Sequence, residues 1–239
     1  MRARKIHLSL VIGPLVLAWT LAAQQADRFP TPQPPSGPTP RMSDGKPDFS
    51  GLWLQPRTVE RGTPEMLPSA ASIFRQRAET NLKDMPSAQC LPMGVGLLAP
   101  ILNKIVQTLR LLVVLQEVSA GFRQVFLDER NHPKDLEATW NGHSTGRWRG
   151  DTLVVETVGY NDRGWLDGAG HPRTEKLRVV EEFRRPDLGH LEIQTTIDDP
   201  GAYAKPWTIK WVADLAPNEE IQEFLCSENN LDLAHLVGK

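Results

Sequence analysis

Only two cysteines, Cys90 and Cys226, occur in the 239 residues. So few exclude a disulfide-dense scaffold and a four-cysteine zinc ribbon. No charge sign dominates: 27 Lys and Arg face 29 Asp and Glu, for a net charge of −2. The chain therefore lacks the basic footprint of a nucleic-acid partner. Past residue 23 there is no long apolar run, and at 23% charged residues a multi-span membrane protein is excluded. The sequence also lacks a Walker or dinucleotide-type glycine loop, an H-E-x-x-H pattern, a haem-attachment motif and internal repeats; Gly142-His143-Ser144-Thr145-Gly146 places a serine between glycines, but it precedes a hairpin strand and reads as a turn rather than a nucleophile elbow. Nothing in it calls for a cofactor or a metal.

The first residues read as an export signal. Arg2, Arg4 and Lys5 precede an apolar stretch from Leu8 to Ala22, with small residues at Ala22 and Ala23. Cleavage after residue 23 removes three positive charges and leaves a more acidic chain without a stable membrane span. The alternative is an uncleaved anchor. Residues 24–46 carry Pro30, Pro32, Pro34, Pro35, Pro38 and Pro40 and read as an extended spacer. The folded domain is expected over 47–239, in a periplasmic or secreted protein.

One helix is expected early, capped by Ser69 or Ser72 and running through Phe74 to Leu82, before Pro86. After Pro100 the pattern changes to short runs rich in Val, Ile, Leu, Thr and aromatics. These are 101–108, 111–118, 122–129, 152–160, 176–184, 191–198, 207–215 and 221–226. Turn residues such as Arg149-Gly150-Asp151 and Asp187-Leu188-Gly189 separate them. Short spacings favour antiparallel connections. With Gly51-Leu52-Trp53 as the opening strand, the class is mainly β: an antiparallel β-barrel or strongly curved sheet of about 8–10 strands. One helix lies on its N-terminal side, and a short C-terminal helix is expected near Leu231–Val237.

The segment Pro47-Asp48-Phe49-Ser50-Gly51-Leu52-Trp53 resembles the G-x-W opening strand of lipocalin-like barrels. A longer series is more specific: Gly146 to Thr157, Trp165-Leu166-Asp167, Thr196 to Pro200, Pro206-Trp207 and Cys226 to Asn230. It resembles a family of uncharacterised secreted bacterial proteins with a lipocalin-like, calycin-type barrel, over roughly the whole domain. The resemblance implies export and a lipocalin-like barrel. It assigns no catalytic residue. The chain departs from the pattern at His143, where an acidic residue is expected, and at Glu182, where a basic one is.

Strand alternation selects polar residues that point inward. Leu177, Val179, Glu181 and Phe183 share one face, so Glu181 lies on the core side. Arg123 shares a face with Val125 and Leu127, and Glu223 sits between Ile221 and Leu225. A buried carboxylate must be paired, neutral or beside a wet cavity. As a site, Glu181 is an acid–base group and Arg123 binds an anionic or carbonyl oxygen; as structure, they form a cross-strand ion pair.

The 160–172 loop is too long for a tight hairpin, and such loops often hold function. Within it Asp167 and His171 form a candidate carboxylate–imidazole pair, with turn chemistry as the alternative. His132 and His143 lie in the other long loop at no metal-ligand spacing. Trp165, Trp207 and Trp211 are candidate ligand-lining residues, as is Glu223, with core packing the alternative for the tryptophans. Cys90 and Cys226 flank the strand runs and suggest one disulfide in an exported chain, against two buried thiols.

The expected function is an exported barrel that binds a small apolar or amphipathic ligand. The alternative is a cofactor-independent lyase, isomerase or hydrolase in the same barrel, using Glu181 or Asp167 and His171 with Arg123.

Overall fold

Side-chain alternation sets the architecture. In β7 (Thr152–Val158) residues Leu153, Val155 and Thr157 are buried, while the intervening ones are half-buried. The same period of two runs through β8 (Arg178–Arg184) and β9 (His190–Asp198). Each strand therefore offers one face to the core. A computed structural model describes residues 33–92, 94–95, 103–118, 121–226 and 228. The described residues from Pro34 onward belong to one compact unit. The expected signal segment and the expected C-terminal helix lie outside the described residues.

The remaining elements are β1 (Gly51–Trp53), β2 (Arg57–Arg61), helix α1 (Pro68–Glu79), a 3-10 turn (Pro86–Gln89), β3 (Asn103–Gln107), β4 (Leu111–Gln116), β5 (Phe122–Phe126), β6 (His143–Arg149) and β10 (Trp207–Asp214). Ten strands form one sheet in the order β1-β3-β4-β5-β6-β7-β8-β9-β10-β2, curled into a half-barrel. The fold is mainly β with one α-helix among the described residues, as the strand pattern indicates. At one end the sheet turns back on itself. Trp53 bridges Leu215, the Leu54 amide donates to the Asp214 carbonyl at 2.9 Å, and the Ala216 amide donates to Leu52 at 2.8 Å. Buried Arg185 holds this corner, donating to Ser50 and Leu188 carbonyls with its guanidinium 4.8 Å over the Trp53 ring.

The structure corrects five expectations. The sheet is mixed, because β5 and β6 run parallel through Val125–Ser144 and Phe126–Thr145. A parallel pair needs a long crossover, which the 127–142 segment supplies. The Gly142–Gly146 segment is not a turn: Gly142 leads into β6, which starts at His143. Gly146 faces inward there, where a Cβ would stand 2.7 Å from Leu127 Cδ2 and 3.1 Å from Val125 Cγ1. The 221–226 run is no strand, since β10 is already paired by β9 and by β2. Its place is taken by Arg57–Arg61, a fully exposed, charged edge strand of the kind that resists further pairing. Helix α1 has Leu67 at its cap position with Pro68 following, rather than a serine cap, and ends at Glu79.

The fifth correction moves the domain's start. Residues 34–46, expected as spacer, pack on the sheet. The Leu188 amide donates to Gly37 at 3.0 Å, Thr39 Oγ1 donates to Arg185 at 2.9 Å, and Arg41 pairs with Asp151 at 2.8 Å. The prolines pre-set an extended course, and Arg185 and the 187–189 turn provide the hydrogen bonds. The expected Cys90–Cys226 disulfide is present and closes a separation of 136 residues. On chain-entropy grounds such a loop contributes about 4–5 kcal/mol.

Inside the curl, one apolar cluster gathers Phe49, Trp53, Ile105, Leu153 and Phe183. A second gathers Tyr160, Leu166, Val179, Ile197 and Trp207. Buried Arg123, Ser144, Thr157, Glu181 and Thr195 share the same sheet interior.

Candidate functional site

The register brings the inward polar residues together. Ser144 pairs with Thr157 across β6 and β7, and Glu181 pairs with Thr195 across β8 and β9. Arg123, on β5, enters from the far side of the parallel junction. Its Nη2 lies 2.5 Å from Glu181 Oε2, and the side chains are 5% and 0% exposed. Arg123 Nε donates to Ser144 Oγ at 2.9 Å and Nη2 donates to Thr157 Oγ1 at 2.7 Å. The two hydroxyls are 2.8 Å apart. Burial is the largest influence and would lower the guanidinium's pKa, but the Glu181 charge, Tyr160 and the Glu181 hydrogen bond together outweigh it and the net shift is upward. Arg123 is therefore a fixed cation. Tyr160 closes the same interior, fully buried; burial pushes its hydroxyl up to about 12, so it stays neutral.

Arg123 and Ser144 also line a cleft. It has a volume of about 470 Å³ and opens where β5 and β6 diverge, with Phe122, Phe126, Trp140 and His143 among its walls. Phe122 is 59% exposed. His143 stacks on Phe126 at 5.2 Å between ring centroids. Its Nδ1 is 2.8 Å from His132 Nδ1, so one ring donates and the other accepts. Desolvation first, then His132 and Arg130, lower His143 below the ordinary imidazole value, which keeps it neutral. Among the described residues, no three His, Cys, Asp or Glu side chains gather as a metal site.

The cleft's position depends on Arg173, a residue the strand pattern did not single out. Its Nη2 donates to the Trp140 carbonyl at 3.0 Å and to Asn161 Oδ1 at 3.2 Å, and its Nε donates to the Asn161 carbonyl at 3.0 Å. Burial depresses this guanidinium to about 10. Gly164 makes room for it: a Cβ there would overlap the guanidinium carbon and nitrogens of Arg173.

Asp167 and His171 form the expected pair, with His171 Nδ1 2.8 Å from Asp167 Oδ2. Asp167 Oδ1 also accepts the Ala169 and His171 amides, and Arg61 approaches at 3.4 Å. Burial is the largest influence and would raise this carboxyl, but the His171 hydrogen bond and charge, with the His171 and Ala169 amides, together outweigh it and hold it low. His171 stacks on Phe74 of α1 at 4.5 Å. Among the described residues no hydrogen bond or ion pair joins this pair to Arg123 or Glu181.

The remaining candidates divide. Trp165 is 4% exposed beneath Arg77, whose guanidinium lies 4.3 Å over its ring, so it anchors the loop to α1. Trp207 and Trp211 pack inside the curl, and both indole nitrogens are buried without a hydrogen-bond partner. Glu223 is exposed in a segment that forms no strand, so it cannot point into the interior. Ser144 and Thr157 were missed as site residues. Thr157 was legible from alternation with Leu153 and Val155; Ser144 was hidden by reading its segment as a turn. No family model, no curated protein and no solved structure matches the chain.

Proposed function

We propose that this protein is exported and binds a small amphipathic molecule in the β5–β6 cleft. The observation that carries this reading is an aromatic-walled cleft of about 470 Å³ that reaches buried Arg123, whose Nη1 has no hydrogen-bond partner among the described residues. Ligand sites of this size are commonly apolar with a few placed polar groups. The ligand's apolar part lies along Phe122, Phe126 and Trp140, and its polar head meets Arg123 and Ser144. The basic and apolar start of the chain and the Cys90–Cys226 bridge support an oxidising compartment outside the cytoplasm. The family resemblance is in keeping with that address.

A binding role fits better than the acid–base alternative. Asp167 is occupied by His171 and two backbone amides, and its loop is braced on α1. Glu181 is committed to an ion pair with Arg123 at 2.5 Å.

The test is titration calorimetry with ten-carbon amphiphiles on the purified chain and on the Phe122→Ser, Trp140→Ala variant. We expect binding by the native protein and at least a roughly tenfold loss in the variant. Equal affinity in the two proteins removes the cleft from consideration.

A further inference from the structure

The cleft reading leaves the chemistry of the ligand's head open, and the residues behind Arg123 narrow it. Glu181 is fully buried, and among the described residues neither carboxylate oxygen has a hydrogen-bond partner beyond its contact with Arg123. Arg123 Nη1 has none, and neither has Thr195 Oγ1, directly across the β8–β9 register from Glu181. Buried donors and acceptors are almost always satisfied, so an unmatched group calls for an explanation, and a bound ligand is one. Here the unmatched set holds both kinds: an N–H donor on Arg123, acceptor oxygens on Glu181, and a hydroxyl on Thr195 that can act as either.

Charge adds a second constraint. Arg123 and Glu181 cancel, and Tyr160 beside them is neutral. An anionic head would gain Arg123 but stand against Glu181 in a medium that screens poorly. A cationic head faces the reverse conflict. An uncharged head meets neither, and one with a donor beside an acceptor matches both open positions.

Resting on the cleft reading, we propose that the ligand is an uncharged amide or hydroxy-carbonyl compound whose N–H or O–H donates to Glu181 and whose carbonyl accepts from Arg123 Nη1. Its apolar part leaves through the cleft past Phe122 and Trp140. A site built around a donor and an acceptor discriminates against analogues lacking one of them, because its own buried groups are then left unmatched.

Three probes of one chain length test this: decanamide, 2-decanone and decanoate, titrated by calorimetry into the native chain. We expect decanamide to bind roughly tenfold tighter than 2-decanone, which has no donor, and decanoate to bind weakest. Thr195→Val, nearly isosteric, narrows the amide-over-ketone preference. In the Arg123→Met, Glu181→Leu double variant, checked for fold by circular dichroism, amide and ketone bind alike. Tightest binding by decanoate overturns the neutral-head proposal and leaves the cleft reading standing. Equal binding of amide and ketone to the native chain overturns it too, and makes the ion pair structural. Binding of none of the three overturns the cleft reading itself.

Discussion

Asp167 and Glu181 are both withdrawn from solvent and both face a cation, but their surroundings differ. Asp167 accepts from His171 and from two backbone amides of its own loop, and its ring partner is stacked under Phe74. Among the described residues Glu181 has Arg123 as its polar partner, with both oxygens otherwise unmatched. One carboxylate closes a local structure; the other leaves it incomplete. The incomplete one, on β8, is held by Arg123, which lines the cleft beside the parallel β5–β6 junction. Arg123 thus joins an opening in the sheet to an unfinished hydrogen-bond set, which is why the site is assigned to Glu181 and Arg123.

The largest expected effect comes from splitting that pair. Glu181→Leu alone leaves Arg123 as a buried, uncompensated cation and should cost about 3–5 kcal/mol in urea unfolding. Arg123→Met together with Glu181→Leu replaces both charges with apolar groups of similar size and should restore most of that loss. A double variant as unstable as the single one would show that the charges themselves organise the interior.

Glu181 was legible in the sequence and Arg123 nearly so, because period-two alternation is a property of the strand itself. The same rule placed β7, β8, β9 and β10 close to their true bounds. The crossover between β5 and β6 was not legible, because nothing local to 127–142 distinguishes a parallel connection from a loop. Glu223 failed for a related reason: its alternation is genuine, but strand formation needs a free neighbour, and β10 is paired on both sides. Arg173 gave no periodic signal, since its role depends on where the carbonyls of Trp140 and Asn161 arrive from distant parts of the chain. The proline segment misled in the same way: composition gave its extended course but not its docking onto Arg185 and Leu188.

An intermediate effect comes from the support under the cleft. Gly164→Ala puts a Cβ into the space of the Arg173 guanidinium. We expect a loss of about 1–3 kcal/mol from overpacking, together with weakened ligand binding because Trp140 loses its anchor. A variant that loses stability but binds normally would separate Arg173 from the cleft and leave it as a loop clamp alone.

The smallest effect is expected at Asp167, and it is the one that pH can resolve. Asp167→Asn keeps an oxygen for the backbone amides and removes only the carboxylate charge facing His171. The cost should be about 1 kcal/mol at neutral pH, with no change in ligand affinity. The folded-state pKa of Asp167 is lowered, so its contribution is present above the ordinary carboxylate value, near 4, and is lost as pH falls through the lower folded value. Urea unfolding of the native chain and of the Asp167→Asn variant, followed from about pH 6 to about pH 2.5, should therefore show a gap that closes toward acid. A gap that stays constant over this range would mean that the Asp167 charge does not stabilise the loop, and that the two backbone amides alone set its shape. The contrast with Glu181 would then rest on hydrogen bonds alone: Asp167 would remain a filled acceptor and Glu181 an open one.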